Sequence, residues 1–257
     1  MAKIIAVANQ KGGVGKTTTS ICIGSTLAKF GKRVLLVDLD PQGNSTIALG
    51  FNNEKISRTV FSALIDKVAI EKTIKKTLLE NFSLIPSNIY LSHFSEENLA
   101  DVEEKEFILK KELALLEENY DYIIIDTPPS KGLINLNALA AANSVIIPLQ
   151  AEYFAMESIT TILGVIRKIK TSLNPTLEIE GFLFTMFDPN DAFQNEIMNE
   201  IRSIFTTQVF SDYIPRNNSI PESQAKGIPI ILFRPNSIGA QAYIQVAREI
   251  ISKNSSR

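Results

Sequence analysis

The chain has 257 residues, enough to bury one full α/β core, and sets 26 Lys and Arg against 28 Asp and Glu for a formal net charge of −2. That balance excludes a wholly basic nucleic-acid binder, and a single cysteine and a single histidine exclude an internal disulfide and a metal site built on either type alone. No apolar run approaches the roughly 18 residues of a membrane span and no charged-then-apolar leader opens the chain, so a cytoplasmic protein is expected.

Residues 3–8 (KIIAVA) form a short apolar run that feeds a glycine-rich loop, and residues 16–30 follow with helical spacing until Gly31 stops them. A second strand, VLLV at 34–37, ends in DLDPQGN, which is turn chemistry at a strand tip. Strand, loop, helix and strand within about 35 residues read as a parallel βαβ unit. Further strands are expected at 82–85, 122–125, 144–148 and 179–186, with helices at 96–119, 135–142, 156–169, 193–205 and 238–252. Runs such as YIII and SVIIP lack polar alternation, as suits strands covered on both faces. The pattern predicts a single doubly wound α/β domain over residues 1–257, its mostly parallel sheet flanked by helices, with 254–257 as a disordered tail. Ligands of such sheets gather at the carboxyl ends of the strands, where the polar clusters 9–18, 38–46 and 126–132 converge.

NQKGGVGKTT at 9–18 ends like a phosphate-binding loop but departs from G-x-x-x-x-G-K-[ST], because Gln10 stands where the first glycine belongs. Gly12, Gly13 and Gly15 let the backbone fold tightly with its amides turned inward, and the next helix adds the partial positive charge of its N-terminus. Lys16 is placed for the β- and γ-phosphates and the Thr17 hydroxyl for Mg2+. Two strands have the form of four apolar residues then Asp, ending at Asp38 and Asp126. Asp126, followed by the stiff T-P-P-S, is the expected Mg2+ partner through water. Asp40 is a candidate to orient the attacking water and a second water-mediated metal contact. Lys11 is surplus to its own site: either an exposed lysine without a task, or a charge for a phosphate on a neighbouring subunit. Cys22, among Ile21, Ile23 and Leu27, reads as a buried core thiol.

K-G-G-V-G-K-T-T is the deviant Walker A signature, and the chain resembles the ParA/Soj chromosome- and plasmid-partitioning ATPases, in the wider group with MinD. The resemblance runs nearly end to end, through GKRVLLVDLDPQGNST at 31–46, LIPSN at 84–88, YDYIIIDTPPS at 120–130, EYFAMES at 152–158, TMFD at 185–188, IPRN at 214–217 and GIPI at 227–230. It implies ATP with Mg2+ held between two subunits in a nucleotide-sandwich homodimer, Lys11 of each reaching phosphates bound by the other and Gly12 at the seam. Val14 and Thr18 belong to the ATP-binding loop, Lys11, Lys16 and Asp40 to the hydrolytic set, and Pro215 and Asn217 to the loop that reads adenine. It implies slow hydrolysis stimulated by a ParB-type centromere-binding partner, non-specific binding of double-stranded DNA by the ATP dimer, and a nucleoid-associated location.

Two arginines that the family associates with DNA are missing: the segment after TMFD reads Pro189, Asn190, Asp191, and after IPRN stand Asn218, Ser219 and Ile220. E-A-P-S is altered to Glu222-Ser-Gln-Ala225. Residues 202–257 nevertheless hold seven Lys/Arg against three Asp/Glu, and Arg202, Lys226, Arg234 and Arg248 are the candidate DNA contacts. The alternative is a membrane-surface switch like MinD, which needs an amphipathic basic C-terminal helix; AYIQVAREIISKNSSR reads instead as a packing helix.

Overall fold

The computed structural model describes residues 1–255. The first half runs β1 (Lys3–Val7), α1 (Lys16–Lys29), β2 (Val34–Asp38), α2 (Asn44–Ala48), α3 (Val60–Leu64), β3 (Lys75–Lys76), β4 (Phe82–Ile85), α4 (Ile108–Ala114) and β5 (Tyr122–Asp126). The second continues with α5 (Leu133–Ala141), β6 (Ser144–Leu149), α6 (Ala155–Ser172), β7 (Glu178–Phe184), α7 (Ala192–Phe205), α8 (Ser219–Ala225), α9 (Ile230–Phe233) and α10 (Ile238–Ser255). The strands form one sheet in the order β3-β4-β2-β5-β1-β6-β7, parallel throughout except for β3 against β4.

Alternate residues of the same strands fill two cores. Ile123, Ile125, Leu35 and Val37 face α3 to α7, whereas Tyr122, Ile124, Val34 and Leu36 face α1 and α10. Every residue of β2 and β5 is buried, which is why their sequences carry no polar alternation. The pairing of β2 with β5 sets Asp38 directly beside Asp126, so both carboxylates emerge at the carboxyl edge next to the loop after β1.

Three expectations are corrected. The helix over 96–119 shrinks to Ile108–Ala114, because the charged run DVEEKE offers no apolar stripe and Val102 within it is exposed. The strand expected over 179–186 ends at Phe184, since the Thr185 hydroxyl turns to the Val14 and Leu149 carbonyls and Met186 takes a φ of 53°. Asn254 and Ser255 continue α10 instead of starting a tail, the Asn254 amide donating to the Ile250 carbonyl and to Glu180 Oε1. The remaining tail positions, 256–257, lie outside the described residues.

Candidate nucleotide site

The loop between β1 and α1 is tied down before any ligand is considered. Asn9 Nδ2 donates to the Pro148 carbonyl at 2.7 Å, while its Oδ1 accepts the Lys11 amide at 3.0 Å and the Ser158 hydroxyl at 3.2 Å. Gly13 and Gly15 have φ of 76° and 84°, a left-handed conformation that glycine adopts without steric cost. Gly15 directly precedes α1, so the amides of the first helical turn open toward the trough that the loop encloses. Lys16 is 7% exposed, and its Nζ folds back to donate to the Lys11 carbonyl at 3.0 Å. Burial pushes its pKa below the ordinary lysine value, with Asp126 and Asp40 pulling it back up. A desolvated ammonium over a ring of amides is a site built for an anion.

The three acidic candidates separate by environment. Asp126 is fully buried and accepts Ser45 Oγ at 2.7 Å and Ser20 Oγ at 3.1 Å, with the Thr17 hydroxyl as a further donor. Desolvation raises its pKa, and those hydroxyls oppose the rise. Asp38 is equally buried but spent on its own loop, accepting the Thr46 amide and hydroxyl at 2.8 and 2.7 Å and the Asp40 amide at 3.1 Å. Asp40 caps its turn by accepting the Gln42 amide at 2.9 Å, yet it lines the trough together with Gly12, Gly13, Lys16 and Thr17.

The trough encloses about 590 Å³ and meets a second, more apolar cavity of about 280 Å³. Pro215 and Asn217 line the second cavity with Ile214, Ile220 and Tyr243, so the adenine candidates and the phosphate candidates fall in adjoining spaces. Asn217 Oδ1 is one of three buried side-chain polar atoms without a hydrogen-bond partner among the described residues, and it packs against Gly239.

Lys11 leaves the trough. Its ammonium pairs with Glu152, both side chains roughly half exposed, beside Tyr153 and Phe154, which are 77% and 62% exposed and meet edge to face. The basic candidates are not gathered into one cluster. Arg234 pairs with Glu222 at 2.9 Å, Arg202 donates to the Ser211 carbonyl, and Lys226 is exposed. Arg248 lies over Phe30, ten residues along α10 from its start, about 15 Å from the Arg234 end.

Residues that motif spacing does not reveal complete the site: Ser20 and Ser45 on Asp126, Glu152 on Lys11, Thr185 on the loop, and Met186 and Gln224 between the two cavities. Met186 carries a signal only in the structure, a positive φ on a non-glycine residue at a ligand pocket.

The protein family described as "AAA domain" matches residues 2–179. The sporulation initiation inhibitor protein Soj of Bacillus subtilis is 45% identical over 97% of this chain and 98% of its own length. Among solved structures, a putative plasmid partition protein from Borrelia burgdorferi bound to AMPPNP superposes with a TM-score of 0.82 at 31% identity, covering 98% of this chain and 100% of that one. Cobyrinic acid a,c-diamide synthase from Mycobacterium smegmatis, with bound ATP analogue and magnesium, gives 0.88 at 35% identity over 100% and 97% of the two chains. With its phosphate-binding loop, its paired strand-end carboxylates and this full-length likeness, the chain belongs to the Soj/ParA family of chromosome-partitioning ATPases.

Proposed function

We propose that this protein is a DNA-segregation ATPase whose ATP-bound form is a nucleotide-sandwich dimer that holds DNA without sequence preference. Slow hydrolysis, stimulated by a ParB-type centromere-binding partner, releases it. The observation that carries this reading is the divergence of the two loop lysines: Lys16 folds over the trough, whereas Lys11 points out of it to Glu152 at a face bearing exposed aromatics.

The trough fits a Mg2+ nucleotide, because the Thr17 hydroxyl sits against the buried Asp126 and Asp40 lines the same space. Thr17 would hold Mg2+ directly, with Asp126 and Asp40 acting through water, and the ion would neutralise charge developing on the β- and γ-phosphates. Lys16 and the loop amides bind the same phosphates from the protein side. Asp40 orients the attacking water, and Pro215 and Asn217 hold adenine in the second cavity. Lys11 exchanges Glu152 for a phosphate bound by the partner subunit, which makes dimerisation depend on the nucleotide.

Neither competing activity has comparable support. Ala240, Tyr243, Val246, Ala247 and Ile250 of α10 are buried in the core shared with α1, so the apolar face they form is packed inward and not turned to a membrane. The M. smegmatis neighbour is named as a diamide synthase, but it is less similar in sequence than Soj, at 35% against 45% identity.

Gel filtration of the Asp40→Ala protein with ATP tests the reading. It should elute as a dimer, and adding Lys11→Ala should return it to monomer while part of the nucleotide affinity remains. A monomeric Asp40→Ala protein with ATP bound would refute the sandwich, and equal duplex-DNA binding with ADP and ATP would refute the gate.

A further inference from the structure

Gln224 lies in α8, far along the chain from the phosphate-binding loop and within the stretch where E-A-P-S is replaced by Glu222-Ser-Gln-Ala225. Its Nε2 donates to the Thr18 hydroxyl in α1 at 3.0 Å. Gln224, Thr18, Gly15 and Met186 line both the phosphate trough and the apolar cavity, so they mark the junction between the two. In any nucleotide the ribose and α-phosphate connect base to terminal phosphates, and must cross that junction.

A primary amide has two N–H donors. One goes to Thr18 Oγ1, which leaves the other, and accepting that bond leaves the Thr18 hydroxyl its own proton to donate. We propose that Gln224 and Thr18 form a neutral donor pair for the α-phosphate, with Gln224 a nucleotide-binding residue outside the phosphate-binding loop, in a stretch where this chain departs from the family. This rests on the reading of the trough as an adenine-nucleotide site. Because the α-phosphate is common to ADP and ATP, the pair secures both nucleotides equally and leaves their discrimination to the γ-phosphate contacts.

Calorimetric titration of ADP and a non-hydrolysable ATP analogue into the full chain tests this. Gln224→Ala should weaken both by a similar factor of about ten to a hundred, the worth of one hydrogen bond to a charged group. Gln224→Glu, nearly isosteric, places a carboxylate against the phosphate and should weaken both at least as much again at low salt, the gap narrowing as salt rises. Thr18→Val, which removes one donor and the acceptor that holds the other, should cost more than Gln224→Ala, and Gln224→Ala should add little to it.

Unchanged affinity in Gln224→Ala, a loss confined to the ATP analogue, or a salt-independent Gln224→Glu indistinguishable from Gln224→Ala would each overturn the assignment. A purely structural Gln224 would lower the melting temperature of the nucleotide-free protein and leave both affinities intact, which also overturns it. Lys16→Ala separates this failure from that of the underlying reading. If it abolishes binding while Gln224 variants bind normally, only the present inference falls; if wild type binds neither nucleotide, both fall.

Discussion

A Cβ built on Gly12 would meet no heavy atom within 4 Å, and its backbone is not in the left-handed region. Its own chain therefore has no need of glycine there, unlike Gly13 and Gly15, whose positive φ demands it. The proposed dimer supplies the missing reason, since a partner brought against this loop would occupy the open space. Gly12→Val should fold with wild-type stability to within about 0.5 kcal/mol, as surface substitutions do, yet stay monomeric with ATP. Denaturant melts and light scattering with ATP check the two halves, and a valine variant that dimerises normally would remove Gly12 from the seam. At this scale the sequence was most legible where chemistry is local: the loop spacing placed Lys16 in the trough and turned Lys11 into a question. It was least legible where a partner lies far along the chain, as with Glu152 on Lys11 and Gln224 on Thr18, which no spacing rule connects.

Between elements, a close backbone approach joins the end of α2 to the end of α8. Gly50 and Gly227 both adopt positive φ, and a Cβ on Gly227 would lie 2.6 Å from Gly50 Cα. Because α2 follows the Asp40 turn and α8 carries Gln224, this seam ties the Asp40 loop to the wall between the two cavities. Gly227→Ala combines a left-handed penalty of roughly 1–2 kcal/mol with overpacking of about 1–3 kcal/mol, so a loss of about 2–5 kcal/mol is expected in urea melts. A neutral variant would show that the two turns slide apart freely. Both turns were visible as glycines in the sequence, but their meeting was not, because a glycine announces its own backbone freedom and says nothing about what packs on it. The long strands were legible because full burial writes itself as unbroken Ile, Leu and Val. The segment before α4 misled because charge density mimics a solvated helix where no apolar stripe anchors one.

For the whole molecule, a net charge of −2 coexists with an excess of four positive charges over residues 202–257, seven Lys/Arg less three Asp/Glu. The proposed dimer would double that excess, so the DNA affinity proposed for it should fall steeply with salt. Lys226→Ala should reduce the log–log salt slope by about one for each phosphate left without its cation, and Arg234→Ala by less, because Glu222 already neutralises part of its charge. Fluorescence anisotropy of a duplex across a salt series, with ATP present, measures both slopes; no change in either variant would move the DNA face elsewhere.

The sheet margins carry a last consequence. On one side the final strand is two residues long, antiparallel, and made of Lys75 and Lys76; on the other, Val209 bridges to Phe182 and shields part of β7. Short, cationic or covered borders refuse to template a further chain. Neither border therefore invites another chain to extend the sheet, and in the proposed dimer self-association falls instead at the mouth where the fuel binds, so that an encounter between two copies would be open to chemical timing.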